Sequence, residues 1–367
     1  MKIITVVGAR PQFIKAALVS KSLKKETKVQ EILIHTGQHF DYSMSETFFT
    51  QLEIPKPHYN LGIQETNAAN RLAKMIEGIS NAIEKEKPQA LLVYGDTDST
   101  LAGALAANKN KIPLIHVESG LRSYNKTMPE EVNRILTDHL SDLLFCPSQA
   151  AVNNLEKENI SGKEKVIISE DIMLDCLLNF LPLSIFKDYF QEKKLEKNSY
   201  ILATIHRAEN TTNSKILFEI ISAFNEINLK TPIILPLHPR TQKIIDEQGM
   251  NITFKVIPPV SYFEMLGLIQ NSLFVMTDSG GLQKEAYWLE KRCITLRPET
   301  EWTELVSSEV NTLPEALNKN AILSASEKTF ELLNKKGGHW PKGIYGTGNS
   351  ARNISKKIEK FLLDKQN

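Results

Sequence analysis

The residues of this chain best suited to chemistry stand just after apolar runs, where a buried strand would end. Gly8-Ala9-Arg10-Pro11 follows the first run and leads into a stretch carrying Lys15. The glycine permits a tight turn, a helix starting there offers backbone N–H groups to an anion, and Arg10 and Lys15 add positive charge. Later runs end in Tyr94-Gly95-Asp96-Thr97-Asp98 and His116-Val117-Glu118-Ser119-Gly120-Leu121-Arg122. Asp96 in that position suits an acid or base, or the N-cap of a helix. Glu118 ends a run that is otherwise apolar, and a carboxylate there needs a partner. Glu130 and Glu131 follow Pro129, with Arg134 one turn on; acidic residues in a first helical turn are also ordinary dipole partners.

The second half repeats the arrangement. Ala203-Thr204-Ile205 runs into His206-Arg207-Ala208-Glu209, which sets a group able to donate or exchange protons near neutral pH beside a cation. Thr277-Asp278-Ser279-Gly280-Gly281-Leu282-Gln283-Lys284-Glu285 follows a further run. Ser279, Gly280 and Gly281 between strand and helix make a backbone cradle for a phosphate, and Glu285, about one turn on, can take a ribose hydroxyl pair. The first turn carries no GxGxxG, so a nicotinamide or flavin cofactor has no support.

Positioning these groups requires a regular scaffold. Apolar, β-rich runs at 3–7, 32–35, 90–94, 113–117 and 143–146 alternate with amphipathic stretches at 14–23, 44–52, 67–83 and 100–107. This alternation predicts a parallel sheet with crossover helices on both faces. The pattern gives way to helical stretches between about 150 and 197, with a Lys-Glu run at 190–197, and then restarts at 201–205, 232–237, 254–257, 273–277 and 293–296. Two Rossmann-like, doubly wound α/β domains follow, each binding ligand beyond its strand ends, and 350–363 reads as a terminal helix capped by Asn349 or Ser350.

Bulk properties exclude other classes. With 367 residues the chain suits two cores. The 44 Lys+Arg balance 43 Asp+Glu, so no global field draws in nucleic acid or a membrane surface. No apolar run approaches the roughly 18 residues of a membrane helix. Cys146, Cys176 and Cys293 show no CxxC spacing and sit in apolar runs, as small core residues do. The short N-terminal strand passes straight into a turn, and a cytoplasmic location is expected.

Together these segments resemble the non-hydrolysing UDP-N-acetylglucosamine 2-epimerases. The likeness runs through Gly-Ala-Arg-Pro-Gln at 8–12, Thr-Gly-Gln-His at 36–39, Gly-Asp-Thr at 95–97, His-Val-Glu-Ser-Gly-Leu-Arg at 116–122 and Pro-Glu-Glu-Val-Asn-Arg at 129–134. It continues through His-Arg-Ala-Glu-Asn at 206–210 and Asp-Ser-Gly-Gly at 278–281 to Thr-Glu-Trp at 300–302. The resemblance implies a glycosyltransferase-B type fold with the site in the interdomain cleft. Its domains would be 1–170 with 350–367, and 171–349 as the UDP-binding half. It also implies a homodimer acting on a UDP-2-acetamido sugar without metal or nicotinamide. By position, Asp96, Glu118, Glu130 and His206 correspond to the catalytic set. Arg10, Ser279, Gly280, Gly281 and Glu285 correspond to the UDP-binding set, with Lys15, Arg134 and Arg207 beside them.

Some motifs depart from the typical pattern. Gly-Ala-Arg-Pro-Gln, His-Arg-Ala-Glu-Asn and Thr-Glu-Trp lie nearer the branch acting on UDP-2,3-diacetamido-2,3-dideoxyglucuronate. Ser169-Glu170-Asp171 stands where a glycine-containing turn is usual, and 307–313 is shortened and lacks a glycine. A retaining glycosyltransferase of the same fold, a hydrolysing epimerase and a nucleotide-sugar binding protein without turnover are the competing readings.

Overall fold

The computed structural model describes residues 1–38, 56–184, 196–335 and 340–365. His39, the expected helix at 44–52 and most of the 190–197 run lie outside the described residues. The chain divides into two compact units, Met1–Cys176 with Gly343–Asn367, and Leu177–Lys342.

In the first unit, seven parallel strands form one sheet: β1 (Lys2–Val7), β2 (Gln30–His35), β3 (Tyr59–Asn60), β4 (Ala90–Tyr94), β5 (Leu114–Val117), β6 (Leu143–Cys146) and β7 (Val166–Ile168). Their order is β3-β2-β1-β4-β5-β6-β7, so the winding reverses between β1 and β4. β1 and β4 are nearly continuous aliphatic runs, buried along their length as central strands covered on both faces must be. On one face Met75, Ile79 and Ile83 of the amphipathic Ala68–Glu86 helix pack against Ile4, Val6, Leu91 and Val93. The alanine-rich Asp98–Lys109 helix joins them and lies close because a Cβ on Gly103 would stand 2.7 Å from Val93.

The second unit repeats the scheme with β8 (Ile201–Thr204), β9 (Ile233–Pro236), β10 (Lys255–Ile257), β11 (Val275–Thr277), β12 (Cys293–Thr295) and β13 (Asn311–Thr312). The order is β10-β9-β8-β11-β12-β13, all parallel, with the reversal between β8 and β11. The core strands fall where the apolar runs predict them. The edge strands β3, β7 and β13 are additions of two or three residues. β7 lies inside the stretch that reads as helical, and β13 inside the shortened 307–313 segment. All three cysteines are buried and free. Among the described residues no helix is long and apolar enough to cross a membrane.

The terminal helix, Ser350–Asp364, packs on Arg10–Glu26 through buried Ile354, Ile358 and Leu362, one turn apart. Such side chains stabilise by roughly 1.5–3 kcal/mol each, well above the ~0.5 kcal/mol of an exposed pair such as Arg352–Glu26. Its cap differs from expectation. Asn349 makes no side-chain cap bond; instead the Asp175 carboxylate, from the Ile172–Phe180 helix, accepts from Ser350 N at 3.1 Å and Ala351 N at 2.8 Å. Burial pushes the Asp175 carboxyl above its ordinary range despite these two amides.

Glu170, in the 169–171 segment where the resemblance leads one to expect a glycine-containing turn, adopts φ +66, a left-handed state costing a residue with a Cβ about 1–2 kcal/mol. The turn holds because Glu170 Oε2 accepts from Thr347 N at 2.8 Å and Thr347 Oγ1 at 3.2 Å. Gly346 packs directly on the Glu170 side chain, leaving no room for a Cβ. Glu170→Ala keeps the strain and loses both bonds, so it should lower stability by about 1–2 kcal/mol. Glu170→Gly relieves the strain as well and should cost less. Calorimetric midpoints should therefore rank wild type, then glycine, then alanine; an alanine variant as stable as wild type would contradict this account.

Candidate functional site

The loops after β1, β4 and β5 carry the first unit's candidate groups. The turn after β1 differs from the expected anion cradle. Gly8 N and Ala9 N donate to Gln12 Oε1 at 2.8 and 3.1 Å, so these two amides are already satisfied. Gln12 Nε2 donates in turn to Tyr94 O and Thr100 Oγ1, both at 2.9 Å, which ties the β1 turn to the end of β4. Gly8 must be glycine because a Cβ would collide with the hydrogen-bonded hydroxyls of Thr36 and Ser99. Arg10 begins the Arg10–Glu26 helix, but its side chain lies outside what the structure describes.

Lys15 and Arg134, expected beside a ligand, are both buried and each is paired with a carboxylate of the candidate catalytic set. Lys15 Nζ forms an ion pair with Glu118 and Arg134 Nη2 one with Asp96. Arg134 Nη1 also meets Glu131 at 3.0 Å. Glu118 sits at φ +69, a strained backbone state of the kind concentrated at functional positions. The Lys15–Glu118 pair lies over Gly95, itself at φ +62, whose Cβ would stand 3.2 Å from Glu118 Oε2 and 3.5 Å from Lys15 Nζ. Asn133 Nδ2 holds the Asp96 carbonyl at 3.0 Å.

The two neighbouring glutamates on Pro129–Leu140 have different surroundings. Glu131 is wholly buried and accepts from Ser123 N at 3.0 Å and Tyr124 N at 2.8 Å, clamping the preceding loop. Glu130 is exposed in the same helical turn. Of the pair, Glu130 is the carboxylate open to a ligand.

In the second unit, fully buried Asp278 organises the site. It accepts from His206 N and Arg207 N at 3.0 Å and from Asn210 Nδ2 at 3.1 Å, and it pairs with His206 Nδ1 at 3.0 Å. The histidine side chain is 56% exposed, and its Nδ1 is taken by the aspartate. Sequence spacing gave no sign that Asp278 serves the β8 loop rather than its own.

Ser279 caps Gly280–Trp288, accepting from Leu282 N. The two glycines of the loop have different causes. Glu301 Oε1 would lie 2.6 Å from a Cβ on Gly280, and Trp302 Nε1 donates to Gly280 O at 2.9 Å, so Gly280 is a packing glycine. Gly281 has open space where a side chain would stand. Glu285, the candidate ribose ligand, is buried one turn on, and Arg207 is half-buried. Arg297, not singled out from sequence, emerges buried after β12 and pairs with Glu301 at 2.8 Å.

Burial and the nearby Arg207 and Arg297 work to lower the His206 pKa, but the hydrogen bond and charge of Asp278 prevail and leave it above its ordinary value. Asp278, though buried, is held below the usual carboxylate range by His206 and the two amides. An imidazole whose protonated form Asp278 favours, two guanidinium groups and a helix N-terminus are thus contributed by the second unit's strand-end segments, a set of groups suited to a phosphate-bearing ligand. Among the described residues no three His, Cys, Asp or Glu side chains are grouped to hold a metal.

Comparison with known proteins gives consistent results. A family model described as UDP-N-acetylglucosamine 2-epimerase matches residues 21–359. The chain is 45% identical to the UDP-2,3-diacetamido-2,3-dideoxy-D-glucuronate 2-epimerase of Pseudomonas aeruginosa, over 98% of this chain and all of that one. It is 41% identical to a UDP-N-acetylglucosamine 2-epimerase of Methanococcus maripaludis, over 96% of this chain and 97% of that one. The crystal structure of the Methanocaldococcus jannaschii UDP-GlcNAc 2-epimerase with UDP-GlcNAc and UDP superposes with a TM-score of 0.89 at 38% identity, covering 98% of this chain and 100% of that one.

Because the folded His206 pKa is raised, the stability this pair contributes is present in full below the unfolded value near 6.5 and is lost as pH rises through the folded one. Asp278→Asn removes the charge that raises it. Titration of the His206 ring by NMR should show a midpoint above 6.5 in wild type and a lower one in Asp278→Asn. An unchanged midpoint would show that Asp278 does not set the protonation of this ring.

Proposed function

Since the chain belongs to the UDP-N-acetylglucosamine 2-epimerase family, and is accordingly an isomerase, we propose that it inverts C2 of a UDP-2-acetamido sugar by eliminating UDP and adding it back. UDP-GlcNAc and UDP-ManNAc are the assigned pair. The observation that carries the reading is the division of chemistry between the units: cation-paired carboxylates at the β4 and β5 ends, and an Asp278-oriented histidine beside the Ser279–Gly281 loop.

The chemistry needs both kinds of group. The C2 proton is poorly acidic because no carbonyl is attached to that carbon. When a base removes it, the C1–O bond to UDP breaks and a C1=C2 double bond forms, giving a 2-acetamidoglucal. Return of UDP to C1, with a proton delivered to the opposite face of C2, completes the inversion. Asp96, Glu118 and Glu130 are assigned to proton transfer on the two faces. His206, Arg10, Arg207 and the Ser279–Gly281 loop are assigned to the departing diphosphate, and Glu285 to the ribose. Lys15 and Arg134 act on the carboxylates they are paired with. We further place the enzyme in the cytoplasm as a homodimer that supplies precursors for surface polysaccharide.

A second substrate deserves equal testing. The full-length likeness to the diacetamidoglucuronate enzyme, with the Gly-Ala-Arg-Pro-Gln, His-Arg-Ala-Glu-Asn and Thr-Glu-Trp segments, favours a sugar bearing a 3-acetamido group and a C6 carboxylate.

NMR of the protein in D₂O with each UDP-sugar in turn reports reaction, stereochemistry and substrate together. Deuterium should enter C2 without any acceptor present; acceptor-dependent turnover would instead indicate a glycosyltransferase, and release of free sugar a hydrolysing epimerase. Asp96→Asn and Glu118→Gln should each slow C2 exchange by about 10²–10⁴-fold while UDP affinity, read by calorimetry, holds. Arg10→Ala should weaken UDP binding.

A further inference from the structure

We infer that Asp138, acting through His116, is the positioning residue that holds the proton-transfer carboxylates of the first unit in register. The inference rests on the proton-transfer role proposed above for Asp96, Glu118 and Glu130. Neither residue is among the groups assigned to that chemistry, and both are completely buried, so neither meets substrate.

The connections run from one carboxylate to the loops after β4 and β5 and to the helix bearing Glu130. Asp138 lies on Pro129–Leu140, the helix whose first turn carries Glu130. Its Oδ1 bonds His116 Nδ1 at 2.7 Å, and the other ring nitrogen, Nε2, bonds the carbonyl of Gly95 at 2.8 Å. Gly95 immediately precedes Asp96. The second oxygen, Oδ2, accepts from Gly120 N at 3.0 Å, two residues beyond Glu118, and from Arg122 Nη1 at 2.7 Å. Arg122 is in turn fixed by Glu158 through Nε and Nη2, both at 2.7 Å. The loops after β4 and β5 and the helix bearing Glu130 thus share one anchor.

The backbone explains why an anchor is needed. Gly95, Glu118 and Gly120 all have positive φ, at +62, +69 and +79. Gly95 N and Glu118 N still donate to the neighbouring strands, at Val117 O (3.0 Å) and Phe145 O (3.1 Å), but the Gly95 carbonyl and Gly120 N are held by the side chains of His116 and Asp138. A carbonyl can only accept, and the Asp138 carboxyl, pushed up by burial but pulled further down by His116 and Arg122, is ionised and can only accept too. Both ring nitrogens of His116 therefore face acceptors, and the ring is a rigid strut of fixed length between the helix and the Asp96 loop. Asparagine reproduces only the donor facing Asp138, and glutamine only the donor facing Gly95.

The test compares Asp138→Asn, His116→Asn and His116→Gln in the full chain, reading C2 exchange, UDP affinity and amide hydrogen exchange. A loss of register of about 1 Å lowers turnover about a hundredfold. We expect a kcat for C2 exchange reduced on that order in Asp138→Asn and His116→Asn, with UDP affinity within about twofold because neither residue is among the groups assigned to UDP. His116→Gln, which keeps the Gly95 bond, should recover part of kcat. Amides at 94–97 and 118–121 should exchange faster in the two impaired variants. A kcat near wild type, or a fall matched by UDP affinity, overturns the proposal; if Asp138→Asn does not fold, the two His116 variants decide it. If wild type shows no C2 exchange, the functional reading fails. The hydrogen-exchange result then decides the anchor alone: faster loop exchange supports it and unchanged exchange overturns it.

Discussion

A carboxylate taken out of water costs several kcal/mol unless donors surround it, and each unit of this chain buries one directly behind its strand ends. Asp278 gathers two backbone amides, an asparagine and His206; Asp138 gathers a backbone amide, an arginine and His116. In both cases the donors come from segments other than the aspartate's own. The desolvation penalty works as a constraint: either loop could shift only by stranding a buried charge. The sheets bring the loops to one end of each unit, and these two carboxylates then fix where the loops stop.

The scaffold was largely legible in the sequence because its central strands are covered on both faces and so read as unbroken aliphatic runs. Ala90–Tyr94 is such a run, buried at every residue. Tyr59–Asn60, Val166–Ile168 and Asn311–Thr312 were not legible, since edge strands this short have no periodicity to detect and owe their conformation to the neighbour they pair with. The helix cap at Ser350 was hidden for a related reason. Its acceptor, Asp175, is distant in sequence, and a capping rule based on adjacent residues cannot find it.

The site was legible in place more than in partnership. A parallel sheet presents its strand ends on one side, so Asp96, Glu118, His206 and Ser279 could be located from position alone. What each touches depends on tertiary packing. Gly8 and Gly280 look alike as phosphate-loop glycines, yet one makes room for the Thr36 and Ser99 hydroxyls and the other for Glu301, while Gly281, next to Gly280, faces open space. Glu130 and Glu131 are adjacent and identical in type, yet burial makes one a clamp and leaves the other to solvent.

The pairing of Lys15 with Glu118 and of Arg134 with Asp96 bears on how an acidic site can accept an anionic substrate. Bare carboxylates repel a diphosphate over a range set by the ~8–10 Å screening length. With a buried cation against each, the field of the pair falls off far faster than that of either charge. Each carboxylate keeps its charge at contact distance while the pair presents little net charge further away. The second unit follows the same rule, with the His206 ring set against the Asp278 carboxylate at 3.0 Å. The pairing thus removes most of the repulsion that two bare carboxylates at the strand ends would direct at a phosphate group.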